Sequence, residues 1–348
     1  MTGAPWEGFD EVIDVRSPAE YAEDCIPGAV NLPALSNAER AEVGALHRRS
    51  PFAARLRGAG MVAANIAAHL RAHLAARPPG WRPLVYCKRG GQRSGAVVEV
   101  LRRVGWDAAQ LAGGYKIYRI AVMDGIRALP PQIRFRALGG KTGAGKTALL
   151  RMLADGGAAA LDLEKLGNHR GSAFGDVGAQ PSQRRFESRL FAAMSVLPKN
   201  APVFVEAEGR KIGRLHLPQP LLFAMRNAPV LYLDAELRER ARRIAADYAA
   251  FFDPDKFESA AAAIGKYVGA KRLRLWNMHH SGGEWETLAA DMLSSFYDPG
   301  YQKSLAANYA APSAVFAVNP NRLESMQKTA ALLAQTADCA AGGDKMAV

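Results

Sequence analysis

Cysteine is scarce in this chain, with three in 348 residues (Cys25, Cys87 and Cys339), too few for a disulfide framework. No apolar run approaches the roughly 18 residues that a membrane span requires. The opening stretch MTGAPWEGFDEVIDVR lacks a basic region followed by an apolar one, so no secretory signal is visible. The expectation from these absences is a soluble, cytoplasmic protein. Acidic residues are also short, 33 against 45 Lys and Arg, leaving a formal net charge of +12 that both halves of the chain share. Such an excess favours a polyanionic partner, for example nucleic acid. What is present is ordinary: 49% hydrophobic residues can build normal cores, and the length points to about two domains.

Short apolar runs alternate with helical stretches from the start. E-V-I-D-V (11–15), P-G-A-V-N-L-P (27–33), P-L-V-Y-C (83–87) and Q-L-A-G-G-Y (110–115) supply strands. Residues 53–76 give an alanine-rich amphipathic helix stopped by Arg77-Pro78-Pro79-Gly80. Strand, loop, helix, strand in this order implies a parallel α/β sheet. D-G-I-R-A-L-P-P-Q-I-R (124–134) carries two prolines and no period, so the expected domains are 1–128 and 129–348. The second opens as another strand–loop–helix unit, has later strands at A-P-V-F-V-E-A-E-G (201–209) and A-P-V-L-Y-L-D-A-E (228–236), and reads as largely helical after Asp234, its last stretch a helix fraying into a loose tail.

Two loops carry chemistry. In the first, Cys87 ends a strand and Arg93 follows six positions later. Gly90 and Gly91 allow the loop N–H groups to converge as an anion nest, and Lys88, Arg89, Gln92 and Ser94 complete it. A thiol facing the next helix N-terminus is favoured as thiolate, and Arg93 offers a planar fork for an oxyanion. Cys25 and Cys339 lack such neighbours and are expected to be structural.

The second loop, G-K-T-G-A-G-K-T (140–147), matches G-x-x-x-x-G-K-[ST] between a strand and a helix. Gly140, Gly143 and Gly145 shape a cradle of backbone N–H groups for a diphosphate, Lys146 neutralises it, and Thr147 is a candidate for holding Mg²⁺. Glu206 and Glu208, at period two on one face of a strand, and the pair Asp162 and Glu164 are candidate carboxylates for a metal or a water. Asn168, His169, Arg170 and Ser172 crowd a glycine-punctuated loop and are expected to grip substrate. Arg184, Arg185, Arg210, Lys211, Lys271, Arg272 and Arg274 are candidate phosphate contacts to RNA.

D-V-R-S-P-A-E-Y (14–21), I-P-G-A-V-N-L-P (26–33), the cysteine loop and L-A-G-G-Y (111–115) resemble a rhodanese domain over about 8–125. Cys25 stands where rhodaneses usually have His. The five residues between Cys87 and Arg93 resemble the longer, phosphatase-like loops; on loop geometry alone sulfane transfer and phosphate-ester cleavage both stay open. Joined to a P-loop domain with D-L-E-x-L-x-N-H-R-G-S-x-F-G, S-Q-x-x-F-E and V-E-A-E-x-x-x-I-G, the chain resembles the tRNA 2-selenouridine synthases over about 8–300. One variation is Gly167, where Ala is usual. The resemblance implies a transferase acting on the wobble uridine of tRNA. It implies S-geranylation of 2-thiouridine from geranyl diphosphate, then selenium delivery from selenophosphate. No tightly bound cofactor is implied, with Mg²⁺ a candidate at Thr147, and an enzyme making selenophosphate is a candidate partner. Rival readings are an ATP-dependent tRNA sulfurtransferase, a phosphatase joined to a kinase-like domain, and an RNA-binding module without catalysis.

Overall fold

Four short strands and seven more, each flanked by amphipathic helices, build two parallel sheets and a small hairpin. The computed structural model describes residues 6, 8–170, 175, 178–247 and 253–339. The chain divides into two units by its contacts: one of residues up to Gly125 with Ser182–Ala192, the other of Ile126–Pro181 with the residues from Ala193 onward.

In the first unit the strands are β1 (Glu11–Asp14), β2 (Val30–Asn31), β3 (Pro83–Tyr86) and β4 (Ala109–Gln110), in the order β2-β1-β3-β4 and all parallel. Helices α1 (Pro18–Glu23), α2 (Asn37–Arg49), α3 (Pro51–His69, continued by a π turn over Leu70–Leu74), α4 (Gln92–Val104) and α5 (Gly114–Ala128) connect and follow them. Every residue of β3 is buried, as a parallel strand covered on both faces requires. Ile13, Val85, Leu101, Trp81 and Trp106 lie in its core, the two indoles edge to face at 5.2 Å. Helix α2, capped by Ser36 with Glu39 reaching back, has no counterpart in the sequence reading. Helix α5 runs through the first residues of the expected break and ends at Ala128, before a 3₁₀ turn at Pro130–Gln132.

The second unit carries β5 (Arg134–Gly140), α6 (Lys146–Asp155), β6 (Ala159–Leu161) and α7 (Leu163–Gly167). After α8 (Gln183–Ser195) follow β7 (Pro202–Glu206), a hairpin of β8 (Lys211–Ile212) and β9 (Leu215–His216), α9 (Gln219–Arg226) and β10 (Val230–Asp234). Helices α10 (Leu237–Asp247), α11 (Pro254–Val268), α12 (Ala270–Ser281), α13 (Trp285–Met292), α14 (Asp298–Asn308) and α15 (Leu323–Cys339) complete it, with β11 (Ala314–Ala317) between the last two. The sheet order is β11-β10-β5-β7-β6, all parallel. Strand β11 is an addition to the sequence reading, which identifies no strand in the largely helical region after Asp234: Val315 pairs with Tyr232 at the sheet edge. Its alanine-rich, half-exposed residues carry no strand period for a single sequence to reveal. The helices from α10 to α13 enclose a second core around Trp276, Leu288 and Met292.

Residues Ser182–Ala192 of α8 belong to the first unit. Ser188 donates to buried Asp24 at 2.9 Å, Arg184 pairs with Glu23 at 2.8 Å, and Arg185 donates to the Tyr21 carbonyl at 3.0 Å. No helix among the described residues is long and apolar enough to cross a membrane.

Candidate functional site

In each unit the loop that carries the chemistry runs from a strand end to a helix start. In the first, Cys87 follows β3, and the thiol is buried with its sulfur turned into the loop. Ser94 Oγ donates to Sγ at 3.2 Å and the Gly91 N–H at 3.4 Å. Gln110 donates in turn to Ser94 Oγ at 2.8 Å, so β4 orients the hydroxyl that serves the sulfur. Burial pushes the thiol pKa up, but the Ser94 hydroxyl and the N–H groups of Ser94, Arg89 and Gly91 outweigh it and hold it below an ordinary thiol.

Glycine is required where the L-A-G-G turn meets this loop. Gly114 has φ +56°, and a Cβ there would lie 2.3 Å from the Cys87 carbonyl oxygen and 2.5 Å from the Gly90 nitrogen. Tyr115 N–H donates to the Cys87 carbonyl at 2.8 Å, fixing the strand end from outside. The D-V-R segment supports the floor: buried Arg16 grips Asp14 and donates to the Asp24 carbonyl.

Arg93 is engaged. Its guanidinium meets Glu20 at 2.9 Å. Burial works against the Glu20 charge, yet Arg93, assisted by the Ser17 N–H and Arg40, holds its pKa below the usual carboxylate range. Glu20 is visible in the sequence only as a member of the D-V-R-S-P-A-E-Y motif; it lies 73 residues before Arg93, so no local spacing links it to the cysteine loop. Lys88, Arg89, Gly91 and Gln92 are exposed at the loop surface, and Gly90 takes φ +64°.

In the second unit, β5 leads into the 140–147 loop and α6. Gly143 (φ +83°) must be glycine, because a Cβ would meet the Arg240 carbonyl oxygen at 2.9 Å; Gly140 and Gly145 also have positive φ. Lys146 Nζ donates to the Gly140 carbonyl at 2.7 Å, and Thr147 Oγ1 donates to Glu164 at 3.2 Å. The structure brings Glu164, Glu206 and Glu208 together, with one oxygen of each within 4.8 Å of the others. Glu206 ends β7 and Glu208 lies beyond it, so the two converge through the strand end rather than along one strand face. Asp162 is apart from them: it caps α7 through the Lys165 N–H and pairs with Arg151.

Burial, with Glu208 nearby, pushes the Glu164 carboxyl up to about 7 against Lys146 and Thr147. Burial and its two acidic neighbours raise Glu206 well above the usual range; burial raises Glu208 against Lys146. Burial opposes the Lys146 charge, but Tyr301 and the three glutamates hold its pKa above an ordinary lysine. Oε1 of Glu206, on a side chain 3% exposed, has no hydrogen-bond partner among the described residues. A divalent cation would supply what this oxygen lacks, and an all-oxygen donor set fits a hard ion of the Mg²⁺ class.

A cavity of about 560 Å³ opens above this loop, lined by Thr142, Gly143 and Gly145–Ala148, the glutamate trio, Arg151, Arg170 and Arg243, and by residues of the segment from Phe296 to Tyr309. Of the loop expected to grip substrate, Arg170 lines the cavity. Asn168, in the left-handed region (φ 49°), donates to the Ala179 carbonyl, and His169 packs beside Gly213. Ser172 lies outside the described residues. Sequence reasoning missed Arg240, Arg243 and Tyr301, helical positions remote from the loop, and Tyr309, just past the end of α14.

The basic residues divide. Arg184 and Arg185 hold α8 onto α1, and Arg272 pairs with Asp291 at 3.0 Å. Arg210 and Lys211 are exposed at the β8–β9 hairpin, Lys271 and Arg274 on α12.

A model of the rhodanese-like domain matches residues 4–121, and a model of the tRNA 2-selenouridine synthase AAA domain matches 133–281. A tRNA 2-selenouridine synthase of Sulfurovum sp. (strain NBC37-1) is 32% identical over 354 residues, covering 91% of this chain and 94% of that protein. Those of Verminephrobacter eiseniae (39% identical; 68% of this chain, 66% of that one) and Nitrosomonas europaea (36%; 68% and 63%) match over a shorter stretch. The matched region thus spans just under two thirds of the length of these last two relatives. On both domain matches and on the near full-length similarity, the chain belongs to the tRNA 2-selenouridine synthase family.

Proposed function

We propose that this protein is a tRNA-modifying transferase that replaces the sulfur of 2-thiouridine at the wobble position by selenium in two steps. In the first, the thiocarbonyl sulfur attacks the allylic carbon of geranyl diphosphate, the C–O bond breaks, and diphosphate leaves with the electron pair. The Gly140–Thr147 loop and Lys146 receive the charge that develops on it. Mg²⁺ held by Thr147 with Glu164, Glu206 and Glu208 would add charge neutralisation there. In the second, selenophosphate attacks C2, geranylthiol leaves, and water cleaves the Se–P bond to release phosphate. Alkylation makes this exchange feasible, since a bare thiocarbonyl sulfur is a poor leaving group. The Cys87 loop, with Arg93, is assigned to selenophosphate. The reaction depends on an enzyme that supplies that donor, and the exposed basic residues of the hairpin and α12 are assigned to tRNA phosphates.

The observation that carries this reading is the coexistence, in one chain of this family, of a thiol held below its ordinary pKa inside an anion nest and a diphosphate loop backed by three carboxylates. The experiment offers 2-thiouridine tRNA to the protein with geranyl diphosphate and selenophosphate, singly and together, and weighs the digested nucleosides by mass spectrometry. An S-geranyl nucleoside with the diphosphate alone and a selenonucleoside with both are expected. Unchanged nucleosides together with RNA-stimulated ATP hydrolysis would replace this reading by the ATP-dependent sulfurtransferase.

A further inference from the structure

The cavity above the P-loop is larger than a diphosphate needs, and its two sides differ in chemistry. One set of lining residues is polar: the N–H cradle with Lys146 and the Tyr301 it touches, the three glutamates and three arginines. The other is Ile244, Phe296, Tyr297, Leu305 and Tyr309. A π turn over Leu293–Tyr297 widens the helix before α14, which brings the consecutive residues Phe296 and Tyr297 to the same cavity, their rings edge to face at 5.1 Å.

Two of the tyrosines have already committed their hydroxyls. Tyr301 accepts the Gly140 N–H at 2.8 Å, and Tyr309 donates to the Glu208 carbonyl at 3.0 Å. Lys146 Nζ lies 5.3 Å from the centroid of the Tyr301 ring, so of these two rings it is the Tyr309 ring that remains for a ligand. An alkyl chain requires only apolar surface of the kind that Ile244, Phe296, Leu305 and the Tyr309 ring offer. The spacing between the two sides is also fixed. The Arg240 guanidinium, 2% exposed, donates to the Thr142 carbonyl at 3.1 Å and to both Asp298 oxygens at 2.8 Å, tying the phosphate loop to the first residue of α14.

We infer that this aromatic wall seats the hydrocarbon tail of a prenyl diphosphate, and that Phe296, Leu305 and Tyr309 set the tail length the site accepts. The inference rests on the reading that the P-loop binds a diphosphate ester. Leu305 sits one helical turn before Tyr309 and is half-buried, so enlarging it fills the space between the rings.

Calorimetric titration of the full chain with inorganic pyrophosphate and with unreactive thiolo-diphosphate analogues of dimethylallyl, geranyl and farnesyl tails tests it. Because even one methylene in an apolar pocket changes binding by roughly tenfold or more, the geranyl analogue should bind more than about tenfold tighter than pyrophosphate or the dimethylallyl analogue. Leu305→Trp should weaken the geranyl analogue by about tenfold and leave pyrophosphate unchanged, which also certifies that the variant is folded. Phe296→Ala should shift preference toward the farnesyl tail. Equal affinity of wild-type protein for pyrophosphate and all three analogues would overturn the tail assignment alone, with the diphosphate reading intact. Absence of pyrophosphate binding, or displacement of the geranyl analogue by equimolar ATP, would overturn the diphosphate reading and the tail assignment with it.

Discussion

The cysteine loop and the P-loop use the same backbone device with opposite charge at its base. Both run from the end of a buried parallel strand to a helix N-terminus, where N–H groups and the helix dipole favour an anion. In the first unit the loop closes around a sulfur, and no carboxylate accepts or donates at Sγ; hydrogen bonds lower the thiol pKa. In the second it closes around Lys146, and three glutamates crowd behind it with raised pKa values. A nest with its own nucleophile suits a donor that must be attacked or held beside a soft atom. A nest with a cation suits a leaving group that gains charge. On the function proposed above, the base of the loop, rather than the loop shape, divides the labour.

Removing the base of each loop should therefore give opposite phenotypes. Cys87→Ser should lower selenium transfer by about 10⁴-fold or more while S-geranylation proceeds, read as accumulation of the geranylated nucleoside; loss of both together would end the division of labour. Lys146→Ala should slow geranylation by about 10²–10³-fold and leave selenation of pre-geranylated tRNA intact, measured with each substrate separately. Normal prenyl transfer in that variant would count against the assignment.

The comparison sharpens at the level of support. Gly114→Ala forces a Cβ onto the Cys87 carbonyl and should destabilise the first unit by about 3 kcal/mol, seen as a lowered first melting transition and a slower thiol reaction. The smallest expected effect is in titration. Because its pKa lies below an ordinary thiol's, Cys87 should react with iodoacetamide at a pH where ordinary thiols are still protonated. Ser94→Ala removes a donor to the thiolate and should move that rise to higher pH. A profile that does not move would show that the backbone N–H groups alone set the thiol.

The local parts of both sites were legible because their chemistry lies within a few residues: C-K-R-G-G-Q-R and G-K-T-G-A-G-K-T each state their loop and its cradle. The carboxylates were legible as types but not as a set. Asp162 and Glu164 look alike in sequence until the start of α7 assigns one as cap and turns the other toward Thr147. Glu20, Arg240 and the aromatic wall were hidden because they are helical residues whose partners are distant in sequence, and helical spacing alone reads as core or solvent face. Strand β11 was hidden because A-V-F-A is apolar throughout and shows no alternation in its residue types.

The placement of Ser182–Ala192 in the first unit has a consequence for the order of events on the ribosome. The four-strand sheet is complete in sequence at Gln110, yet the partner of Asp24 and the ring that covers Gly125, Phe191, have not been made. At about 5–20 residues per second, the nascent chain passes through an interval of several seconds in which the N-terminal sheet exists without its last helix. During that time the P-loop strand and its acidic partners are already emerging. The two halves of this protein must therefore mature together, and a gene cut at the apparent boundary near residue 128 would leave the first piece permanently in that unfinished state.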